Sequence, residues 1–160
     1  INSEPGIDIT SLIRQAREWK FNEDIEILFI DYLQIINGTN PRATATERVT
    51  EVTQMLKNLA SELDIPIVTA SQVSREVEKR ADKRPGLSDL SDASAIEKIA
   101  DVIITIYRDE VYNEDSEDKG KAEIIIGKQR NGPIGTTRVA FIGEHSRFDN
   151  LSVQYNEDAY

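Results

Sequence analysis

The sequence predicts an α/β fold whose mostly parallel sheet ends in a β-hairpin. Three observations carry this reading. Short apolar runs at residues 27–30, 65–70 and 102–107 have the length and β-branched composition of strands. A stretch at residues 46–63, between the first two runs, repeats its apolar residues at helical spacing. Beyond the third run, Asn131-Gly132-Pro133-Ile134-Gly135 supplies turn chemistry between two further apolar runs, residues 122–127 and 137–142. Strands that alternate with helices build parallel sheets, and the closing pair reads as a hairpin.

The elements follow in order. Asp8 or Thr10 caps a first helix whose Ile9, Leu12, Ile13, Ala16 and Trp19 share one face, and polar residues 20–24 stop it. Ile27-Leu28-Phe29-Ile30 then runs into Asp31. Four consecutive apolar residues predict burial on both faces, as in a central strand. Gly, Asn, Thr and Pro at 36–44 make a loop. The helix at 46–63 buries Val49, Val52, Leu56, Leu59, Ala60 and Leu63. Asp64-Ile65-Pro66 closes it and opens a second strand, which runs into Ser71-Gln72. Residues 73–88 read as a charged loop, and 91–100 as a short helix capped by Ser91 or Ser94. The third strand follows at 102–107, then an acidic, mobile surface loop at 113–119. The fourth strand ends in Lys128-Gln129-Arg130, which gives the hairpin a basic tip. Residues 1–151 form one domain and 152–160 a polar tail. No internal repeats occur.

With 160 residues, 39% hydrophobic and 30% charged, the chain is long enough to bury a real core. The absence of cysteine excludes disulfides and thiolate metal sites. No apolar run approaches the roughly 18 residues of a membrane span, and the first five residues lack the basic and apolar regions of a secretory signal. A net charge of −10 argues against a general DNA-coating protein. The charge is uneven. Residues 71–86 carry five basic against three acidic side chains, and residues 121–138 four against one. These segments read either as places that meet phosphate or as solvated loops.

The polar residues at the strand ends carry the chemistry. Asp31, at the carboxyl edge of its strand, is suited to hold Mg²⁺ through water beside nucleotide phosphates, or it caps the next turn. If the first two strands are neighbours about 4.8 Å apart, Gln72 lines the same cleft. Its amide then senses a γ-phosphate or orients water, or it caps a loop. Lys128 and Arg130 supply positive charge at the hairpin, for phosphate or for a structural salt bridge. The phosphate cradle G-x-x-x-x-G-K-[ST] is absent, since the residue five before Gly127-Lys128 is Ala122. These residues therefore hold no complete nucleotide site, and the first residue is not Met. The missing strand and cradle are expected before Ile1. His145 reads as a surface turn residue rather than a base.

Taken together, Phe29-Ile30-Asp31-Tyr32-Leu33-Gln34, Ser71-Gln72-Val73-Ser74-Arg75, Lys83-Arg84-Pro85, Ser88-Asp89-Leu90, Ile96-Glu97, Ala100-Asp101, Tyr107-Arg108-Asp109 and Lys128-Gln129-Arg130-Asn131-Gly132-Pro133-Ile134-Gly135 resemble the DnaB-type replicative helicase family, in order and with compatible spacing. The likeness covers nearly the whole chain and corresponds to the carboxy-terminal two-thirds of that family's RecA-like motor domain, a P-loop NTPase core. The resemblance implies ATP-driven unwinding of duplex DNA by a homo-hexameric ring that moves along single-stranded DNA. It implies ATP and Mg²⁺ as cofactors, primase and a helicase loader as partners, no membrane, and a cytoplasmic location. It makes Asp31 the Walker B residue at the metal, Gln72 the γ-phosphate sensor and Arg130 an arginine finger. Lys128, Gln129 and Arg130 would meet the ATP of a neighbouring subunit. The family's DNA-gripping loop maps to Ser91, Asp92, Ala93 and Ser94. There the family usually has Arg-Glu-Ser-Gly, so a direct phosphate contact is lost, and the Ser91 and Ser94 hydroxyls with backbone N–H groups are what remains to bind phosphate. The family's catalytic glutamate lies upstream of these motifs.

Three other readings compete. Another RecA-like ring, of recombinase or clock type, shares the strand ends but not the Lys-Gln-Arg-Asn-Gly-Pro hairpin. A non-enzymatic phosphoreceiver would use Asp31 as acceptor but needs an acidic pair at the end of an earlier strand. The chain alone can also be a folded, inactive piece.

Overall fold

The computed structural model describes residues 6–151. The expectation for a polar tail at 152–160 lies outside them. Asp8 is extended, and its carboxylate accepts the Ser11 N–H at 2.9 Å, which opens α1 (Ile9–Glu23). Hydrogen bonds from the Thr10 hydroxyl and from Ser11 hold that carboxyl well below the usual carboxylate range. Ile9, Leu12 and Ala16 are buried, as their spacing predicts, and Asp24 ends the helix in the left-handed region (φ 48°). β1 (Leu28–Ile30) follows, then a 3-10 turn at Leu33–Ile35 and a loop.

α2 (Ala45–Leu63) is closed at its start by a reciprocal cap. The Thr44 hydroxyl accepts the Glu47 N–H at 3.2 Å while the Glu47 carboxylate accepts the Thr44 N–H at 2.8 Å. Thr-x-x-Glu at 44–47 is the sequence signal for this cap. Its buried stripe is Val49, Val52, Leu56 and Leu59. β2 (Ile67–Thr69) lies parallel to β1, with Leu28 opposite Ile67 and Ile30 opposite Thr69. The condition for Asp31 and Gln72 to line one cleft, that these two strands be adjacent, is thereby met. α1, α2 and the buried side of β1 meet in one core with Leu33, Ile36, Ile65, Ile96 and Ile103.

α3 (Ala93–Ile99) leads into β3 (Val102–Tyr107). β4 (Lys121–Gln129), β5 (Gly135–Ile142) and β6 (Arg147–Asp149) complete a four-strand sheet in the order β3-β4-β5-β6. The α/β architecture and the hairpin are as expected; among the described residues β1–β2 is the parallel strand pair, beside an isolated parallel bridge between Asp8 and Asn37, and every pair of the second sheet is antiparallel. The 108–120 connection contains only a single 3-10 turn, at Asp109–Val111, too short to act as a crossover helix.

Several details differ from the sequence reading. β1 is not buried on both faces: Phe29 is 70% exposed and Ile27 is also exposed. Only the Leu28 side of the strand meets the helices, and no described residue covers the other. β3 alternates likewise, with Ile103, Thr105 and Tyr107 buried and Val102, Ile104 and Ile106 exposed. Neither Ser91 nor Ser94 caps α3. Asp92 is the N-cap, at φ 63°, and its carboxylate turns away to accept the Thr46 hydroxyl of α2 at 2.7 Å.

The basic segments are largely neutralised within the fold. Arg80 pairs with Asp89 at 2.7 Å, and Arg84 grips Glu123 of β4 through two hydrogen bonds of 2.7 and 2.9 Å while lying over the Tyr107 ring. Arg138 and Lys121 both pair with Asp118. Burial and a hydrogen bond to Asp109 push the Tyr107 hydroxyl up to about 12. His145 is exposed in a 3-10 turn, Gly143–His145, as expected of a surface residue.

Leu59, buried at the centre of the core, fixes a first expectation. Leu59→Ala should lower stability by about 2–5 kcal/mol, seen as a fall in the urea midpoint with an unchanged slope. The Arg84 hydrogen bonds hold Glu123 below the usual carboxylate range. A carboxyl whose folded pKa is depressed adds stability above its unfolded value, about 4.3, and that stability is lost as pH falls through the folded value. Glu123→Gln should therefore lower the Tm at pH 7, and the gap to the parent chain should narrow as thermal scans are taken below about pH 4.

Candidate functional site

The site is built at the carboxyl edge of β1 and β2. Asp31 follows β1 directly and is exposed, and its carboxylate has no hydrogen-bond partner among the described residues. The Asp31–Tyr32 peptide bond is cis. Backbone bonds join the two strand ends: Ala70 N–H donates to the Ile30 carbonyl and Leu33 N–H to the Ala70 carbonyl, both at 3.0 Å.

Gln34 adds a side-chain link. Its Nε2 donates to Ser71 Oγ at 2.9 Å, and its Oε1 accepts the Gln72 N–H at 3.3 Å. The backbone of Gln72 is thus fixed at both ends, because its carbonyl accepts the Ser91 N–H at 2.9 Å. Its side-chain amide is exposed and unpartnered among the described residues. Asp31 and Gln72 therefore share one edge, each with its functional group free. The sequence alone points to no role for Gln34. Its signal was a lone amide among Leu33, Ile35 and Ile36, three residues past Asp31.

The donor set fits Mg²⁺ only in part. A free carboxylate on a strand edge suits an ion that keeps most of its waters. No group of three His, Cys, Asp or Glu side chains able to hold a metal occurs among the described residues. The remaining ligands of such an ion would be waters and phosphate oxygens.

Lys128 and Arg130 do not project freely from the hairpin. Both fold onto the C-terminal end of α3. Lys128 Nζ donates to the Glu97 carbonyl, and Arg130 Nη2 donates to the carbonyls of Lys98 at 2.8 Å and Ile99 at 3.3 Å. The last turn of a helix has carbonyls without helical partners and a partial negative charge, so two cations are well placed there. Arg130 Nε also lies 3.4 Å from Asp101 Oδ1, and the Arg130 N–H donates to the Asp101 carbonyl at 2.9 Å. Asp101 in turn is bound by Lys57 of α2. The Lys57 hydrogen bond, aided by the charges of Arg130 and Lys128, holds the Asp101 carboxyl below its usual range. Gln129 lies against the turn: a Cβ at Gly132 would sit 2.5 Å from the Gln129 amide nitrogen.

Ser91, Asp92 and Ser94 lie at the start of α3. The Ser91 N–H is committed to Gln72, the Asp92 carboxylate to Thr46, and Ser94 is exposed. Val73 and Leu90 form an antiparallel bridge, and the Ser74 N–H donates to the Asp89 carbonyl at 2.7 Å. This segment is consequently paired with the one that carries Gln72. Asp31 and Gln72 form one group, Lys128, Arg130 and Asp101 a second at the far end of α3, and Ser91, Asp92 and Ser94 the link between them.

Known proteins are similar to this chain in sequence and in fold. The family model for the DnaB-like helicase C-terminal domain matches residues 1–150. The replicative DNA helicase DnaB of Pasteurella multocida is 50% identical over 155 residues, which is 96% of this chain and 33% of that protein. The corresponding helicase of Geobacillus stearothermophilus is 42% identical over 158 residues, 98% of this chain and 35% of its own length. The chain thus spans about a third of the length of the curated relatives it matches. Among solved structures, one ATPase domain superposes with a TM-score of 0.85 at 38% identity, covering 92% of this chain and 52% of that one. A DnaB-like replicative helicase, solved in a study of its interactions with primase, gives 0.88 at 37% identity over 95% of this chain and 37% of that one. The fold is accordingly that of RecA-like helicase ATPase domains. Among the described residues no helix is long and apolar enough to cross a membrane.

The Gln34 link predicts a local effect. Gln34→Leu removes the acceptor of the Gln72 N–H. A hydrogen bond worth about 1 kcal/mol corresponds to amide exchange at Gln72 roughly fivefold faster, while exchange in the middle of α2 stays as in the parent chain.

Proposed function

This chain belongs to the DnaB-like helicase C-terminal domain family, and from that premise we propose that it is part of the ATP-driven motor of a replicative DNA helicase. The motor works as a homo-hexameric ring on single-stranded DNA in the cytoplasm, with primase among its partners. The observation that carries the reading is the shared edge of β1 and β2, where Asp31 and Gln72 lie with free functional groups and Gln72 is bonded through its backbone to Ser91.

Each residue has a distinct task. Asp31 would hold Mg²⁺ through water, and the ion would supply charge neutralisation at the phosphates. The Gln72 amide, one step from the Ser91 backbone, reports the state of the nucleotide to the DNA-facing segment. Ser91 and Ser94 offer hydroxyls to DNA phosphates in place of the arginine that most of the family carries there, with Asp92 fixing the turn between them. Arg130, with Lys128 beside it and Gln129 supporting the turn, neutralises transition-state charge on the ATP of a neighbouring subunit. Binding of the nucleotide itself requires a phosphate cradle, and no G-x-x-x-x-G-K-[ST] occurs in these 160 residues.

Two outcomes test this. The purified 160-residue chain should turn over ATP no faster than buffer; clear turnover, abolished by Asp31→Ala, would overturn the assignment of the cradle to sequence outside these residues. In a ring assembled from the full natural chain, Arg130→Ala should leave ATP affinity within about threefold and lower kcat about 10³-fold or more. Weakened ATP binding with normal turnover at saturation would exclude the finger role.

A further inference from the structure

We propose that Asp101, anchored by Lys57, is a positioning residue for Arg130: it holds the base of the guanidinium against the end of α3 so that the free part of the group keeps one direction across the subunit boundary. The inference rests on the reading of Arg130 as the group that serves a neighbour's ATP, and it adds what aims it.

Arginine has a long side chain with many rotamers, so an unsupported one at a turn has no preferred direction. Arg130 is supported at three points. Its backbone N–H reaches the Asp101 carbonyl, its Nε the Asp101 carboxylate, and its Nη2 the carbonyls of Lys98 and Ile99. Nη1 has no partner among the described residues. A planar guanidinium held at Nε and Nη2 fixes the plane and direction in which its remaining donor, Nη1, meets a phosphate oxygen.

The support is itself anchored. Asp101 has the only side chain among the described residues that meets Arg130 with opposite charge, and Lys57 binds the other oxygen of the same carboxylate. Lys57 lies on α2, about three turns from Thr46, and Thr46 binds Asp92 at the opposite end of α3. α2 therefore braces α3 at both ends. A displacement of the Ser91–Asp92 turn would be carried along α3 as a rigid piece to the carbonyls on which Arg130 rests. Asp101 is not expected to touch nucleotide; it acts through Arg130.

The test uses the full natural chain assembled as a ring, with kcat and KM for ATP measured with and without single-stranded DNA. Asp101→Asn keeps the shape and removes the charge. It should lower kcat about tenfold with KM for ATP unchanged within about twofold, because misaiming a catalytic group costs rate rather than ground-state binding. Asp101→Glu should recover part of the loss, which a purely structural defect would not allow. The double variant Asp101→Asn with Arg130→Ala should be no slower than Arg130→Ala alone, since nothing is left to aim. Lys57→Met, which spares the carboxylate but frees it, should lower kcat in the same direction by a smaller factor, and it decides the matter should Asp101→Asn fail to assemble. A normal kcat for Asp101→Asn, or additive losses in the double variant, with Arg130→Ala itself slowed as expected, overturns the positioning role alone. A normal kcat for Arg130→Ala overturns the finger reading and this inference with it.

Discussion

Two backbone hydrogen bonds hold the working parts of this fold in register. Ser91 N–H to the Gln72 carbonyl and Ser74 N–H to the Asp89 carbonyl flank the single bridge between Val73 and Leu90. They convert two irregular stretches, each polar and charged, into a short antiparallel ladder between the end of β2 and the start of α3. Asp89 makes the ladder possible. Its side chain is buried, and its Oδ2 accepts the Gly86 N–H at 2.8 Å and Arg80 Nη2 at 2.7 Å, so a carboxylate that would be costly to bury alone has two donors, one of them charged. From there the contacts run in both directions: through Gln34 to the end of β1, and through α3 to Lys128 and Arg130 on the hairpin.

Much of this architecture was legible in the sequence because it is local. α1 and α2 announce themselves by spacing, and β3 begins and ends where its β-branched run does. Asp31 and Gln72 stand out because each lies in the polar end of an apolar run, Asp31 directly after Ile30 and Gln72 just past Ser71, and the parallel pairing of those runs puts both at one edge. What sequence did not reveal is non-local. The Asp92 carboxylate at the start of α3 leaves the helix uncapped to bind Thr46, forty-six residues earlier. The rest position of Lys128 and Arg130 depends on carbonyls of α3 that no periodicity marks. The pairing of Arg84 with Glu123 spans thirty-nine residues. β6 is too short to show any pattern, and its three residues pair only because β5 precedes it.

The charge pattern was legible in composition but not in meaning. The clusters of arginine and lysine at 71–86 and 121–138 look like phosphate-seeking surfaces when counted along the chain. In the fold, Arg80, Arg84, Lys121, Arg138 and Arg130 each face a carboxylate drawn from elsewhere in the described residues. A run of charge is a property of the strand of text. A basic surface is a property of what remains after the fold has paired its own ions, and here far less remains than the counts imply.

The uncovered sides of the sheets have a colloidal consequence. Phe29 and Val68 are side-by-side partners on one face, and Val102, Ile104 and Ile106 line another, while β2 and β3 each have a strand on one edge only among the described residues. Open edges and bare apolar faces invite copies of a chain to stick together. The opposing influence is the net charge of −10, which makes any two copies repel. That repulsion reaches about 10 Å at 0.1 M salt and about 3 Å at 1 M. Ionic strength therefore sets the balance: in dilute buffer the repulsion between copies opposes association, and high salt screens it.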